Sequence, residues 1–112
     1  MHSRKLLVLV LLGLSLAATA DFRTITESYE VGLSDLRLPG SEYGTLTFKQ
    51  CSDCVSQTLR VTSKTRYVLN DRDFALAEFK EQLERVTNRK DQIVSVLHHL
   101  ESNTIKAIKV WL

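Results

Sequence analysis

The chain has 112 residues, with 15 Lys and Arg against 13 Asp and Glu, which gives a net charge of only +2. So small a net charge argues against a nucleic-acid-binding protein, whose affinity depends largely on neutralising phosphates. The chain has one proline and no repeat or low-complexity segment, which excludes a linker or solenoid architecture, and its length suits one small domain.

The first 20 residues show the three parts of a secretory signal peptide. Arg4 and Lys5 form a positively charged start, residues 6–16 are uncharged and rich in leucine, and the Ala-Thr-Ala sequence at 18–20 is a cleavage signature. A membrane-spanning helix would need about 20 apolar residues, and this run is shorter. The pattern therefore predicts a cleaved signal peptide rather than a membrane anchor.

Cleavage is expected between Ala20 and Asp21, which leaves a mature domain of residues 21–112. Because Arg4 and Lys5 leave with the signal, 13 Lys and Arg then remain against 13 Asp and Glu. The mature chain has no second long apolar run, so we expect it to carry no membrane span. The predicted location is the periplasm of a bacterium or the extracellular medium.

Strands are predicted over most of the mature chain from runs of β-branched, aromatic and alternating residues. After a loose start over 21–26, a first strand is expected over 28–33, with 38 as its farthest end before the turn at 39–40. The other predicted strands cover residues 44–50, 55–62, 65–69, 93–100 and 104–112. The polar run 70–73 is expected to end one strand, and the last two strands should form a C-terminal hairpin.

One amphipathic helix is predicted over about residues 75–88. Its apolar residues recur with a helical period on one stripe, at Leu76, Phe79, Leu83 and Val86. Ala75 and Glu78 occupy the positions of a capping box that lacks its capping side chain, and Asp73 is an alternative cap one turn earlier. The predicted fold class is therefore α+β: an antiparallel β-sheet built from hairpins, with this helix packed on one face.

Cys51 and Cys54 lie three positions apart, between the predicted strands 44–50 and 55–62. If the two residues between the cysteines form a turn, paired residues have numbers that sum to 105. This register collects four apolar side chains on one face, those of Leu46, Phe48, Leu59 and Val61. Both cysteines then belong to the opposite, polar face at the end of the hairpin.

Three roles compete for this cysteine pair. A redox motif is typically activated at a helix N-terminus, whereas strands flank this one, and Asp53 would raise a thiol pKa. A metal site needs four ligands, and of the downstream candidates His98 and His99 only one could join, because adjacent strand residues point to opposite faces. A structural disulfide between Cys51 and Cys54 needs only an oxidising compartment and opposed side chains. We therefore expect the disulfide.

Other chemistry is weakly supported. His98 or His99 could act as a general base, but no nucleophile motif accompanies them, and no glycine-rich phosphate loop is present. No catalytic, cofactor-binding or metal-ligating residue is predicted. The sequence thus favours a small exported, non-catalytic binding or structural protein whose partner is a protein of the cell envelope. The alternative is a thiol-active or metal-binding accessory protein that uses Cys51 and Cys54.

Overall fold

The computed structural model describes residues 25–112. The predicted signal peptide at 1–20 and the cleavage site between Ala20 and Asp21 lie outside the described residues. No helix within residues 25–112 has both the length and the apolar character needed to cross a bilayer.

The described chain folds into one sheet with a single α-helix. The strands are β1 (Thr26–Gly32), β2 (Leu36–Arg37), β3 (Thr45–Phe48), β4 (Gln57–Arg60), β5 (Arg66–Leu69), β6 (Arg72–Phe74), β7 (Ile93–His99) and β8 (Thr104–Val110). The helix α1 spans Leu76–Glu84, and short 3-10 turns cover Leu33–Asp35 and Arg89–Asp91. The arrangement belongs broadly to the α+β class, as predicted.

The sheet is mixed, although most of its strand pairs are antiparallel. The strand order is β1-β7-β8-β4-β3-β2, and β5 pairs with both β8 and β6. Strand β8 runs parallel to β4 at one end and to β5 along four residues. The prediction of a purely antiparallel sheet is wrong where β8 pairs with β4 and β5. The chain between β5 and β8 contains a helix and two further strands, β6 and β7, and so long a connection permits parallel pairing.

Strands β3 and β4 pair in the predicted antiparallel register. Leu46 lies opposite Leu59, and Thr47 lies opposite Thr58, with 3.2 Å between the two hydroxyl oxygens. Leu46 and Phe48 point into the core, whereas Thr45 and Thr58 are exposed. Both strands are shorter than predicted, because residues 49–56 form a loop rather than strand.

The sequence pattern does not predict strand β6, because the polar run 70–73 is expected to end the preceding strand. Asn70 and Asp71 have φ angles of 50° and 65° and join β5 to β6 by a two-residue turn. A two-residue hairpin turn whose twist matches that of the flanking strands requires a positive φ at both of its central residues. Asn and Asp tolerate this conformation better than most residues do.

Helix α1 begins as predicted but ends earlier. Ala75 occupies the N-cap without a side-chain hydrogen bond, and the Phe79 amide donates to its carbonyl oxygen at 2.9 Å. The helix ends at Glu84, and not near residue 88, because the last turn tightens and Val86 donates to the Leu83 oxygen. A guanidinium nitrogen of Arg89 also donates to the Leu83 oxygen, at 2.8 Å, which gives this carbonyl at the helix end a second donor.

The core lies between α1 and the inner face of the curled sheet. Tyr67 on β5 packs on Phe79 of α1, with ring centroids 5.4 Å apart. Tyr29 on β1 lies 5.4 Å from the ring of Phe48 on β3, although three strands separate β1 from β3 in the sheet order. The sheet therefore curls strongly. The largest fully buried side chains are Phe48, Phe79, Leu33, Leu46, Leu83, Ile105, Ile108, Val31, Val61, Val94, Val96 and Val110.

Candidate functional site

The loop between β3 and β4 contains the predicted disulfide. Cys51 and Cys54 are joined, with their Cα atoms 5.0 Å apart, and the Cys54 amide donates to the Cys51 oxygen at 3.2 Å. Cys51 is exposed and Cys54 is half-buried. The pair closes a tight turn between two strands rather than standing at a helix N-terminus, where a thiolate would be stabilised. The disulfide therefore cross-links the loop between β3 and β4.

A metal site is not assembled in the part of the chain that the structure describes. Residues 25–112 contain no group of three or more His, Cys, Asp or Glu side chains close enough to hold a metal ion. His98 and His99 point to opposite faces of β7, as the strand period requires.

His98 belongs to a hydrogen-bonded cluster on the inner face of the sheet. Its side chain is buried, its Nε2 lies 2.8 Å from the Asn103 carboxamide oxygen, and its Nδ1 lies 3.3 Å from the Tyr29 hydroxyl. An amide oxygen only accepts, so Nε2 carries the proton and Nδ1 accepts from Tyr29. Burial, together with the nearby negative charge of Glu27, raises the pKa of Tyr29 above its usual value. Tyr29 therefore keeps its hydroxyl proton, and its hydrogen bond with His98 ties β1 to β7.

His99 lies on the outer face and is held by the turn that follows β7. Its Nδ1 lies 2.9 Å from the Ser102 hydroxyl oxygen and accepts from the Ser102 amide at 3.3 Å. The same hydroxyl is 2.7 Å from that of Thr104. No carboxylate within residues 25–112 hydrogen-bonds to His99, so the orienting group of a catalytic triad is missing from the described chain. The imidazole acts here as a turn cap.

The longest edge of the sheet is β1, which pairs only with β7 among the described strands. Two backbone hydrogen bonds just beyond the ends of β1 show which of its residues bond to β7. The Leu100 amide donates to the Ile25 oxygen, and the Leu33 amide donates to the Gln92 oxygen, both at 2.9 Å. In an antiparallel pair, every second residue exchanges both backbone bonds with its partner. Odd-numbered residues of β1 therefore bond to β7.

The even-numbered residues of β1 direct their backbone amides and carbonyls away from β7. These residues are Thr26, Ser28, Glu30 and Gly32. The other edge strands offer less, since β2 has two residues and β6 has three, against seven in β1. The sequence alone does not indicate which strand forms this edge, because strand order depends on contacts between distant segments.

The charge on this edge is acidic. The side chains of Glu27 and Glu30 are exposed, and β1 contains no Lys, Arg or Pro. The Glu30 carboxylate accepts from the Ser95 hydroxyl at 2.9 and 2.8 Å to its two oxygens, which holds it beside the strand. Edge strands are commonly protected by charged side chains, proline or bulges; β1 has the two glutamates but no lysine, proline or bulge.

Comparison with known proteins gives no assignment: no protein-family model matches the chain, and neither a curated protein nor a solved structure is significantly similar to it. A functional assignment therefore rests on the geometry of this chain.

Proposed function

We propose that the protein is a small exported, non-catalytic binding protein that holds an extended segment of a protein partner along β1. The observation that carries the proposal is the set of outward-facing backbone groups at Thr26, Ser28, Glu30 and Gly32. An added strand gains affinity from main-chain hydrogen bonds and specificity from alternating side chains. A partner strand on this edge would extend the sheet by one strand beyond β1.

The charge of the edge indicates the class of segment. Glu27 and Glu30 are both exposed, so a segment with Lys or Arg would meet opposite charge, and an acidic one would be repelled. Because these carboxylates are exposed, their attraction selects partners and speeds association more than it adds affinity. The proposed partner is therefore an extended, basic segment.

The edge is also an ordered strand in the absence of a partner. Seven residues of β1 pair continuously with β7, and the Tyr29–His98 contact adds a side-chain link on the inner face. A strand that is already ordered avoids much of the entropy cost of association.

Two observations support export. Residues 1–20 have the composition of a signal peptide, and Cys51 and Cys54 form a disulfide, a bond that persists in oxidising compartments. The cell envelope or a secreted fluid is thus the proposed setting of the partner.

The proposal is tested by substitution of one outward-facing amide. Ser28→Pro removes an amide hydrogen that points away from β7, so the pairing with β7 should survive. Ser28→Ala is the matched control, because it loses the same hydroxyl but keeps the amide. The probe is a blocked peptide of about ten residues with alternating Lys and Thr, a typical strand composition. Its binding is measured by calorimetry alongside a peptide with Glu in place of Lys.

We expect the Lys peptide to bind the native protein and Ser28→Ala, but to bind Ser28→Pro about tenfold more weakly, since the substitution removes one backbone hydrogen bond and leaves a carbonyl of the peptide unpaired. The Glu peptide should bind more weakly than the Lys peptide to all three proteins. Equal binding of the Lys peptide by Ser28→Pro and Ser28→Ala, with both folded by circular dichroism, would refute the proposal.

A further inference from the structure

Apart from the β1 edge, the structure has a cleft on the outer face of the sheet, where the turn after β7 meets the connection after β4. The cleft has a volume of about 600 Å³. This lies within the range of roughly 300–1,000 Å³ that is usual for small-molecule sites. Its lining includes His99 and Ser102 from the turn, Lys106 from β8 and Lys64 from the connection.

The charged groups of the cleft are all basic. Lys64 and Lys106 line it together with His99, and no Asp or Glu is part of the lining. Both lysines are exposed, and neither forms an ion pair with an acidic side chain of residues 25–112. The neighbouring Arg66 differs, because it is paired with Asp73 at 3.0 Å. The two ammonium groups are therefore available, among the described residues, to a ligand with negative charge.

Apolar surface lies beside these cations. Ile25 at the rim of the cleft is 47% exposed, whereas Ile105, also in the lining, is 1% exposed and its side chain belongs to the core. Lysine side chains add further apolar surface through their methylene stems. A free inorganic anion would use only the polar part of such a site.

We propose that this cleft binds a small organic anion, in which a carboxylate or phosphate group is joined to an apolar body. The anionic group lies between the exposed ammonium groups of Lys64 and Lys106. The apolar body packs on Ile25 and on the methylene stems of the two lysines. This site is distinct from the β1 edge and does not depend on the function proposed for that edge.

The test is a titration of the isotope-labelled protein followed by NMR amide shifts. Octanoate and octyl phosphate supply the two anionic groups on one apolar body, acetate and inorganic phosphate supply the anion alone, and 1-octanol supplies the apolar body alone. The variant Lys64→Gln/Lys106→Gln removes both cations. The matched control, Lys49→Gln/Lys90→Gln, removes two exposed lysines that do not line the cleft.

We expect saturable shifts at the amides of Lys64, His99, Ser102 and Lys106 with octanoate, octyl phosphate or both, and the stronger of the two identifies the anionic group. The cleft variant should weaken this binding about tenfold, as loss of charge-assisted contacts does, and the control variant should bind like the native protein. Equal binding of 1-octanol, equal loss in both variants, or no saturable shift at these amides would overturn the proposal.

Discussion

The ring of Tyr67 packs on that of Phe79 with centroids 5.4 Å apart, yet the Tyr67 hydroxyl has no hydrogen-bond partner among residues 25–112. The residue is 5% exposed, so its hydroxyl is removed from bulk water. A buried polar group without a partner costs about 1–3 kcal/mol. Tyr67 is therefore a point at which the core is less stable than its apolar packing would allow.

Tyr67→Phe should raise the free energy of unfolding by about 1 kcal/mol, because it removes the unpaired hydroxyl and keeps the ring against Phe79. Tyr29→Phe is the matched control. It removes a hydroxyl that bonds to His98 and should lower stability by about 0.5–1.5 kcal/mol. Urea unfolding of the two variants measures both changes, and a loss of stability in Tyr67→Phe would contradict the assignment of an unpaired hydroxyl.

Alkaline pH should destabilise the protein through the same residue. Burial, with a smaller effect of the charge of Glu42, raises the pKa of Tyr67 from 10.0 to about 12. As pH rises above 10.0, the unfolded tyrosine loses its proton while the folded one keeps it, so the unfolded state binds fewer protons and stability falls. The ionisation of Tyr67 should lower the free energy of unfolding by about 2–3 kcal/mol near pH 12. Urea unfolding at a series of alkaline pH values should show a smaller fall in Tyr67→Phe than in the native protein.

The helix face gives a second stability prediction. Leu83 is 1% exposed, whereas Glu84 next to it is on the solvent side. Leu83→Ala should destabilise by about 2–5 kcal/mol, the usual cost of a buried leucine truncation, which is a large part of the total for so small a domain. Glu84→Ala should change stability by less than about 0.5 kcal/mol. Similar melting temperatures for these two variants would contradict the packing of α1.

The disulfide should make a modest contribution. A cross-link that closes a loop of about four residues removes roughly 2 kcal/mol of chain entropy from the unfolded state. Reduction of Cys51–Cys54 should therefore lower the free energy of unfolding by no more than about 2 kcal/mol. The reduced protein should stay folded, since the buried side chains of β3 lie on the face opposite the disulfide. Denaturant unfolding with and without reductant measures the difference. Turnover with a dithiol substrate, or a thiol pKa well below about 8.5, would instead support the alternative of a thiol-active protein.

Local patterns predicted the parts of the fold that depend on neighbouring residues. The alternation around Leu46 and Leu59 was enough to give the register of β3 and β4, and the apolar stripe identified the buried face of α1. The end of α1 could not be predicted, because Arg89 reaches back from outside the helix to the Leu83 carbonyl.

The candidate sites were less accessible to sequence reasoning. The free edge of β1 follows from its place in the strand order, and the parallel pairing of β8 joins segments about forty residues apart in the chain. The cleft likewise combines side chains from β7, β8 and the connection after β4. The signal in the sequence is limited to the absence of lysine and proline from β1, which becomes meaningful only once the strand is known to be an edge.

Amide hydrogen exchange along β1 tests the central claim most directly. In the free protein, the amides of Ser28 and Glu30 should exchange rapidly because they point away from β7, and those of Tyr29 and Val31 should exchange slowly because they donate to it. Addition of the Lys-Thr peptide should slow Ser28 and Glu30 and leave Tyr29 and Val31 little changed. Uniform slow exchange at all four amides in the free protein, or rapid exchange of Ser28 and Glu30 with the peptide at saturation, would contradict a strand-binding edge.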